Sequence, residues 1–368
     1  MQNPIYIGLM SGTSLDGVDG VAVQFSEGEN SALKLLAHAH SPYTPELRQQ
    51  ALDLQQAGDD EIHREALLAN ALAQIYATCV HSLRAQLPLE TPIRAIGVHG
   101  QTIRHRPELG YTRQTNQPAL LAELCGIDVI ADFRSRDIAA GGQGAPLVPA
   151  FHRAVFGQAN QNRVVLNIGG ISNISILHAD GSTLGFDTGP GNVLMDAWIA
   201  QHHQQTYDQD GAWAASGHCH EPLLQSLLQA AYFDLPPPKS TGRDLFHLEW
   251  LEQQLQNFPA VNAQDVQATL AQFTVNSIAD AIKKYAPDCS AVYVCGGGAF
   301  NGHLMQSLAQ ALIGIPLAST AELGIAPQHV EAIAFAWLAA RFDQRLPGNL
   351  SEVTGARGSR ILGALYPA

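Results

Sequence analysis

Three short runs of glycine and small polar residues lie where predicted strands end. They are residues 11–17, the pair Gly169-Gly170 and residues 296–298. Because glycine has no Cβ, backbone N–H groups in such turns can approach a phosphate closely. Taken singly, each run is more often only a tight turn. Together, with one glycine-rich hairpin early in each half of the chain, they favour a protein that clamps a triphosphate from both sides.

Two other phosphate motifs can be checked directly. The chain has no GxxxxGK[ST] loop, and no early strand is followed by GxGxxG. The glycines at 296–298 come late in the chain and have the wrong spacing for a dinucleotide fingerprint. We therefore set both motif classes aside.

In the first half, apolar patterning predicts a hairpin and two helices. Residues from Ile5 to Met10 and from Val18 to Phe25 predict two strands that flank the first glycine run. One helix is expected to begin at Thr44-Pro45, because proline is favoured in a first helical turn. A longer helix carries apolar residues at helical spacing from Leu68 to Leu83. Both helices would pack on the sheet.

The second half repeats this design, with a strand-turn-strand unit followed by further strands and helices. Its predicted elements are the unit 163–177, a strand over 183–186, a sharp turn at 187–192, a helix from Val193, a strand over 292–295, and helices marked by Leu304 and by Val330.

The length of the chain predicts two domains. At 368 residues it exceeds what one hydrophobic core usually organises. Apolar residues make up 46% of it and charged residues 14%, which is typical of a compact globular protein. We predict an N-terminal domain over 1–150 with the first hairpin and a C-terminal domain over 151–347 with the second. Residues 348–368 could pack back onto the first domain.

Charge and cysteine content limit the partners and the compartment. With a formal net charge of −13, the chain would repel nucleic acid and anionic membranes at long range. Its five cysteines form no CxxC pair, which indicates neither a zinc ribbon nor a disulfide framework and fits a reducing compartment. No segment reaches the ~18 apolar residues that a membrane span needs. We predict a cytoplasmic protein without a membrane or nucleic-acid partner.

Eight sequence blocks, spread over nearly the entire chain, carry a resemblance to a known family. The blocks are Tyr6 to Asp19 (YIGLMSGTSLDGVD), His99 to Thr102, Asp132 to Arg134, Gly141 to Leu147, Asn167 to Gly170, Gly185 to Asn192, Gly296 to Asn301 and Val353 to Ala356. They resemble the anhydro-N-acetylmuramic acid kinases of bacterial cell-wall recycling. The resemblance implies an α/β fold with two domains of the actin/hexokinase-like, ribonuclease H-like class and an ATP cleft between them. It also implies ATP and Mg²⁺ as cofactors and a homodimer.

The implied reaction joins two steps on one substrate. Water opens the 1,6-anhydro ring of anhydro-N-acetylmuramic acid while the γ-phosphoryl group of ATP is transferred to the released 6-oxygen. Such chemistry needs a base that deprotonates water for attack at the anomeric carbon, and cationic help for phosphoryl transfer. The motif match gives the role of base to Asp187, on a turn that continues into Gly-Pro-Gly. The alternative is that Asp187 only caps the helix near Asn192.

The same match implies nucleotide and sugar contacts. ATP would be held by the first loop, the Gly169-Gly170 turn and the third glycine loop near the adenosine. The sugar would be bound by Glu331, Arg134 and His99, although an acid at a helix start such as Glu331 is favoured there in any case. The predicted ATP-binding residues are Gly12, Thr13, Ser14, Leu15, Asp16, Gly17, Val18, Asp19, Gly169, Gly170, Gly296, Gly297, Gly298 and Asn301.

The magnesium ligands depart from the wider superfamily. There an Asp usually ends the first strand of both phosphate hairpins, whereas this chain has Met10 and Asn167 at those places. A Mg²⁺ ion bound to phosphates needs few protein ligands, and Asp16, Asp19 or water could supply them. Asp16 is the predicted metal ligand.

Two other functions stay open at this stage. A levoglucosan kinase would share the mechanism but act on a 1,6-anhydrosugar without the lactyl and acetamido groups. A positive group such as Arg134 near the sugar would favour the lactyl carboxylate instead. An actin-like or chaperone-like ATPase would use no sugar at all. The turn at Asp187 belongs to the kinase branch and counts against that last alternative.

Overall fold

The computed structural model describes residues 3–12, 14–25 and 33–368. The chain divides into two compact units: unit 1 comprises Met1–Val155 and His329–Ala368, and unit 2 comprises Phe156–Gln328. These limits differ from the predicted domains, because residues 151–155 and 329–347 fall in unit 1. Unit 2 is therefore an insertion between two parts of unit 1.

The strands of the described residues all belong to one of two main sheets or to a separate hairpin. In chain order they are β1 (Ile5–Met10), β2 (Gly17–Phe25), β3 (Leu33–Pro42), β4 (Ile93–Val98), β5 (Gln101–Arg106), β6 (Tyr111–Thr115), β7 (Val129–Ala131), β8 (Arg163–Ile168), β9 (Ile171–Leu177), β10 (Thr183–Pro190), β11 (Ala291–Cys295), β12 (Leu317–Ser319) and β13 (Ala364–Tyr366).

The helices lie between groups of these strands along the chain. In chain order the α-helices are α1 (Pro45–Asp53), α2 (Glu61–Arg84), α3 (Pro118–Cys125), α4 (Ser135–Ala139), α5 (Val148–Phe156), α6 (Val193–His203), α7 (Ala212–Ser216), α8 (Glu221–Leu228), α9 (Leu248–Leu255), α10 (Ala263–Tyr285), α11 (Gly302–Ala311), α12 (Val330–Asp343) and α13 (Ser351–Thr354). Short 3-10 turns are Pro107–Leu109, Gln209–Gly211, Ala231–Asp234, Gly297–Phe300, Thr320–Leu323 and Pro327–His329.

Both main sheets have the same strand order. In unit 1, β1, β2 and β3 form an antiparallel meander, β4 runs parallel to β1, and β7 runs parallel to β4. In unit 2, β8, β9 and β10 form the meander, and β11 and β12 continue the sheet in parallel. Unit 1 adds β13 antiparallel to β7 at its edge. A meander extended by two parallel strands is the ribonuclease H-like arrangement, so the predicted fold class is confirmed.

Local signals predicted most elements that position these sheets. The hairpin around the first glycine run is β1–β2, and α1 begins after Thr44, whose side chain accepts the N–H of Leu47. One element is longer than predicted. Strand β10 does not end at residue 186 but pairs with β9 as far as Pro190, with a register shift between Asp187 and Gly189. Asp187 therefore lies inside a strand, because its backbone is paired with that of Asn173.

One face of the unit 1 sheet is covered by α2. Its buried residues Leu68, Leu72 and Leu83 pack in one core with Ile7 and Leu9 of β1. By length and composition alone, α2 is apolar enough to cross a membrane, which the sequence analysis did not expect of any segment. Half of that stretch is buried inside the protein. Core helices of soluble proteins pass the same test, so this is weak evidence for a membrane span.

Helix α12 packs on the other face of the unit 1 sheet, with its backbone close to the backbone of the strands. Gly8 of β1 and Gly97 of β4 lie opposite each other in the sheet. A Cβ atom at Gly8 would lie 1.9 Å from the carbonyl oxygen of Ala332, and one at Gly97 would lie 2.2 Å from that of Phe335. Since no side chain fits there, the two glycines allow the helix to rest directly on the strands.

In unit 2, the face of the sheet opposite Asn167 packs on α10 and α11. Buried apolar residues of β8 (Val164, Leu166, Ile168) meet Ile278 of α10 and others in one core. A second core, formed by α6, α8, α9 and α10, lies beyond the end of β10. The strand end that carries Asp187 is thus supported by a helical layer.

Replacing Gly8 by Ala should destabilise the protein by about 3 kcal/mol or more, because overpacking against a helix backbone cannot be relieved by a side-chain rotation. Urea unfolding of the purified variant measures this. Gly58→Ala is the matched control, since the nearest atom to its Cβ is the end of the Arg64 side chain in an exposed loop. Equal stability of the two variants would contradict the packing argument.

Candidate functional site

In unit 1, the first glycine-rich loop is anchored by a buried polar cluster. The Ser11 hydroxyl donates to the carbonyl oxygen of Gly100 at 3.1 Å and lies 2.9 Å from the hydroxyl of Tyr76 on α2. The side-chain amide of Gln101 donates to the carbonyl oxygen of Gly12 at 3.0 Å. Ser11, Tyr76 and Gln101 are all buried. Losing such a buried hydrogen bond costs about 1–3 kcal/mol, so the loop is held firmly at its start.

Two carboxylates follow, Asp16 in the loop and Asp19 on β2. Asp16 is exposed and accepts a hydrogen bond from the Ser14 hydroxyl at 2.7 Å. Asp19 lies 2.9 Å from Nδ1 of His40 on β3. Loss of surrounding water raises the pKa of the Asp19 carboxyl above its ordinary value, and the contact with His40 opposes that shift. Thr13 lies outside the described residues, so its contact with ATP stays a prediction.

Met10 lies at the strand end where the wider superfamily usually has an Asp, and the register of the unit 1 sheet shows which acid lies nearest to it. Met10 on β1 is directly opposite Asp19 on β2, and Asp19 is directly opposite His40 on β3. Residues directly opposite on antiparallel strands point to the same face of the sheet. The carboxylate therefore comes from the neighbouring strand of the same hairpin, and His40 is a partner that sequence reasoning missed.

Unit 2 repeats this row across its own sheet. Asn167 on β8 is opposite Asn173 on β9, and Asn173 is opposite Asp187 on β10. Asp187 thus holds in unit 2 the place that His40 holds in unit 1. In unit 2 the acid is Asp187, on the third strand of the meander, whereas in unit 1 it is Asp19, on the second strand. Spacing along the sequence does not reveal this difference.

The Gly169-Gly170 turn is bonded to the start of α6. The carbonyl oxygen of Gly169 accepts the N–H of Asn192 at 2.9 Å, and that of Gly170 accepts those of Gly191 and Val193 at 2.9 and 3.0 Å. A Cβ on Gly191 would lie 2.3 Å from the carbonyl oxygen of Gly169. These three N–H groups are consumed within the protein and are not offered to an anion.

The third glycine loop lies against the end of β8. Gly296 has a φ of +79°, and a Cβ there would lie 2.3 Å from Oδ1 of Asn167. A Cβ on Gly298 would lie 2.4 Å from the side chain of Ile168. Two predicted ATP-binding segments, 169–170 and 296–298, therefore meet at one strand end. The side chain of Asn301 accepts the N–H of Leu304 and caps α11, so its contact with ATP stays a prediction.

Asp187 is held by a loop that follows it in the chain. Its Oδ2 accepts the N–H of Thr241 at 2.9 Å, and its backbone N–H donates to the carbonyl oxygen of Lys239 at 3.2 Å. The Tyr232 hydroxyl donates to the backbone carbonyl of Asp187 at 2.5 Å. The cap residue of α6 is Asn192, well after Asp187, so Asp187 is not the helix cap considered as an alternative.

Sequence reasoning missed this loop as part of the site. Nζ of Lys239 donates to the carbonyl oxygen of Tyr232 at 3.2 Å and lies 4.5 Å from the centre of the Tyr232 ring. Burial lowers the pKa of the Lys239 ammonium, whereas the charge of Asp187 raises it. Lys239 is therefore a cation within electrostatic reach of Asp187. Its only signal in the sequence was a polar run directly after three prolines, which predicted just a loop.

His99 and Arg134 are in direct contact. Nε and Nη2 of Arg134 lie 3.1 and 3.0 Å from Nε2 of His99, and Nη1 donates to the carbonyl oxygen of Gly144 at 2.7 Å. Burial, followed by the charge of Arg134, lowers the pKa of His99 to about 3. The ring is therefore neutral and accepts from the guanidinium through Nε2. Both of these acceptors are uncharged, and both help to orient the guanidinium of Arg134.

Glu331 lies in the first turn of α12. Phe335, one turn further along the same helix face, packs on the ring of His99 with centroids 4.7 Å apart. Nδ1 of His99 is 3.4 Å from the carbonyl oxygen of Ser11. The structure thus brings the predicted sugar-binding residues of unit 1 together with the start of the first loop. Asp187 and the other glycine turns belong to unit 2.

Among the described residues, no group of three or more His, Cys, Asp or Glu side chains is arranged to hold a metal ion. Asp16 therefore could contribute only part of a coordination shell. The Asp16 carboxylate is exposed in the loop, and its role as a metal ligand stays a prediction.

Comparison with known proteins gives consistent matches over the full chain. The sequence model of the anhydro-N-acetylmuramic acid kinase family matches residues 4–368. A protein of that name from Cupriavidus pinatubonensis is 58% identical, covering 100% of this chain and 99% of the relative. Another, from Paraburkholderia xenovorans, is 56% identical, covering 99% of this chain and 98% of the relative.

Solved structures also match, at lower similarity. A ROK family glucokinase from Streptomyces griseus with glucose and AMPPNP has a TM-score of 0.41 and 14% identity, covering 92% of this chain and 99% of that chain. The activator of a 2-hydroxyisocaproyl-CoA dehydratase from Clostridium difficile has a TM-score of 0.47 and 12% identity, covering 93% and 97%. At scores of this size, the fold assignment rests on the strand order.

Unit 1 should lose stability in mild acid. Burial lowers the pKa of His99 and of His152 to about 3, whereas an unfolded histidine titrates near about 6.5. Between these values the unfolded chain binds more protons, so the free energy of unfolding falls as pH falls. His99→Gln should reduce that slope by up to about 1.4 kcal/mol per pH unit.

Urea unfolding at pH 7, 6 and 5 measures this slope. His218→Gln is the control, because the His218 side chain is 95% exposed. An unaltered slope in His99→Gln would show that His99 titrates in the folded protein as it does in the unfolded chain.

Proposed function

The chain belongs to the anhydro-N-acetylmuramic acid kinase family, and from this membership we propose that it converts 1,6-anhydro-N-acetylmuramic acid, ATP and water into N-acetylmuramic acid 6-phosphate and ADP. The observation that carries the proposal is the family match over residues 4–368, with relatives at 56 and 58% identity over the full chain. The enzyme is thus a phosphotransferase with an alcohol acceptor. The family implies a role in peptidoglycan recycling.

We assign the role of base to Asp187. The carboxylate takes one proton from water as the water oxygen bonds to the anomeric carbon. The bond between that carbon and the 6-oxygen breaks, and the 6-oxygen bonds to the γ-phosphorus as ADP leaves. The N–H of Thr241 at 2.9 Å fixes the direction of the carboxylate and stabilises its charge. Fixing the base in this way saves reorganisation when the proton moves.

Nucleotide binding is proposed for the glycine turns of each unit. ATP supplies the phosphoryl group, and Mg²⁺ would neutralise its charge. The donor set fits a metal that takes most of its ligands from phosphate and water, because Asp16 offers an exposed carboxylate with no cluster of acids around it among the described residues. The residues that would hold it are Asp16 and, on the adjacent strand, Asp19. Lys239 would supply further positive charge near Asp187.

Arg134 is proposed to bind the lactyl carboxylate of the sugar. Its guanidinium donates to His99 and to the carbonyl oxygen of Gly144, and a guanidinium can bind a carboxylate through charge-assisted hydrogen bonds. Glu331, one helical turn from the residue that packs on His99, would accept hydroxyl or amide hydrogens of the same sugar. A carboxylate contact is what distinguishes this substrate from levoglucosan, which has none.

A cytoplasmic location and a homodimer complete the proposal. None of the five cysteines, all of which lie in the described residues, forms a disulfide bond, which suits a reducing compartment. The homodimer rests on the family resemblance, and light scattering on the purified chain of 39.4 kDa measures it.

Asp187→Asn should lower kcat by about 10²- to 10⁴-fold, because general base catalysis contributes that much. A coupled ADP-release assay with Mg²⁺ compares anhydro-N-acetylmuramic acid, levoglucosan, glucose, N-acetylmuramic acid and no sugar. Mass spectrometry should show one water and one phosphoryl group added. Asp180→Asn, in the exposed turn between β9 and β10, is the control and should keep full activity. A variant at Asp187 that keeps wild-type kcat would remove it from the chemistry.

Arg134→Gln should raise KM for anhydro-N-acetylmuramic acid by about 10- to 100-fold, the effect of losing a hydrogen bond to a charged group. The KM for the primary amide of the same sugar, in which the lactyl carboxylate is neutral, should change little. Steady-state kinetics with both sugars measures the ratio. Equal losses on acid and amide would mean that Arg134 does not recognise the carboxylate.

A further inference from the structure

Asp137, on α4, is a fully buried carboxylate that the proposed chemistry does not use. It is 0% exposed. Its Oδ2 accepts the N–H of Gly144 at 2.8 Å. Its Oδ1 accepts the side-chain amide of Asn349 at 2.6 Å and the hydroxyl of Thr354 at 2.7 Å. One side chain therefore ties together a glycine loop and a distant segment of the chain.

These contacts suit a carboxylate and no other side chain of that size. All three partners are donors, and an ionised carboxylate accepts at both oxygens. An asparagine would turn an N–H₂ group toward at least one donor. None of the three donors carries a charge, so the carboxylate is not there to complete an ion pair with them. Burying a charge is costly, which calls for a role beyond packing.

The glycine loop 141–144 is built around Asp137. A Cβ on Gly142 would lie 2.2 Å from Oδ2 of Asp137, so the backbone passes directly over the carboxylate. Gly144 has a φ of +67° and presents its N–H to the same oxygen. The backbone N–H of Gln143 donates to the carbonyl oxygen of Thr354 at 2.7 Å. The loop is thus fixed from two sides.

Gly144 connects this carboxylate to Arg134. Its N–H bonds to Asp137, and its carbonyl oxygen receives Nη1 of Arg134 at 2.7 Å. The backbone N–H of Asp137 also donates to the carbonyl oxygen of Arg134 at 3.1 Å. The hydrogen bond from the guanidinium to Gly144 therefore depends on where Asp137 holds Gly144.

We propose that Asp137 is a positioning residue for recognition of the substrate carboxylate: it fixes Gly144, which fixes the guanidinium of Arg134. This inference rests on the proposed function, in which Arg134 binds the lactyl group. Asn349 and Thr354 donate to the other oxygen of Asp137, which does not contact Gly144.

The competing explanation is that Asp137 only fastens two segments of unit 1. A fastening role would lower stability and reduce activity equally for every substrate. A positioning role affects KM for the carboxylate substrate and leaves kcat and the neutral amide substrate alone. The ratio of the two KM values separates these explanations.

Two variants disturb the contact with Gly144. Asp137→Asn places a donor against the donors now bound, and Gly142→Ala pushes a methyl group against Oδ2 while keeping the carboxylate. Each should raise the KM ratio of acid to amide by about tenfold, equivalent to about 1.4 kcal/mol. If Asp137→Asn does not fold, Gly142→Ala carries the test. Thr354→Val is the matched control, because it removes a donor only from Oδ1, and it should lower stability while leaving the ratio unchanged.

A double-mutant cycle gives the second readout. In an Arg134→Gln background, Asp137→Asn or Gly142→Ala should change KM by no more than about twofold, because residues that act through a shared partner are not additive. Additive effects, or an unchanged ratio in folded single variants, overturn the inference. If Arg134→Gln itself leaves the ratio unchanged, the proposed role of Arg134 fails instead, so the two failures are distinguishable.

Discussion

The backbone of α12 touches the backbone of its sheet, and much of unit 1 depends on that contact. Gly8 and Gly97 leave room for the helix, and Ala332 and Phe335 supply the carbonyl groups that lie over them. The contact leaves the helix little freedom to shift or rotate on the sheet, because neither glycine offers a side chain that could adjust. Glu331 and the aromatic platform under His99 take their positions from it.

Neutral groups take part in orienting the charged side chains of the candidate site. An uncharged imidazole and a peptide carbonyl accept hydrogen bonds from Arg134, and a peptide N–H donates to Asp187. Such fixed dipoles set the direction of a charged side chain before any substrate binds. The low pKa of His99 is part of the same arrangement, because a protonated ring would repel Arg134.

The fold could be predicted further from sequence than the site could. Period-two patterning on both sides of a glycine turn gave the hairpins, and proline after threonine gave the start of α1. Those signals are local. The placement of α12 in unit 1 could not be found this way, because it depends on two glycines more than 200 residues earlier in the chain. Only the family resemblance brought His99, Arg134 and Asp187 forward, and it left out Lys239, His40 and Asp137. In sequence, Asp137 is one acid in a polar run, and its burial comes from the glycine loop that follows it together with a distant segment of the chain.

The insertion of unit 2 into unit 1 also sets an order of assembly during synthesis. Residues 156–328 can leave the ribosome and form their own sheet and cores while unit 1 still lacks α12 and the segment that meets Asp137. Until α12 has emerged, the face of the unit 1 sheet that it covers is exposed. Until Thr354 has emerged, the glycine loop over Asp137 lacks its contacts with the C-terminal segment. A nascent chain therefore carries an exposed apolar sheet for the whole time needed to translate the insertion. Chaperones that bind extended apolar segments have their longest opportunity on this half of the protein, although it is the half that was made first.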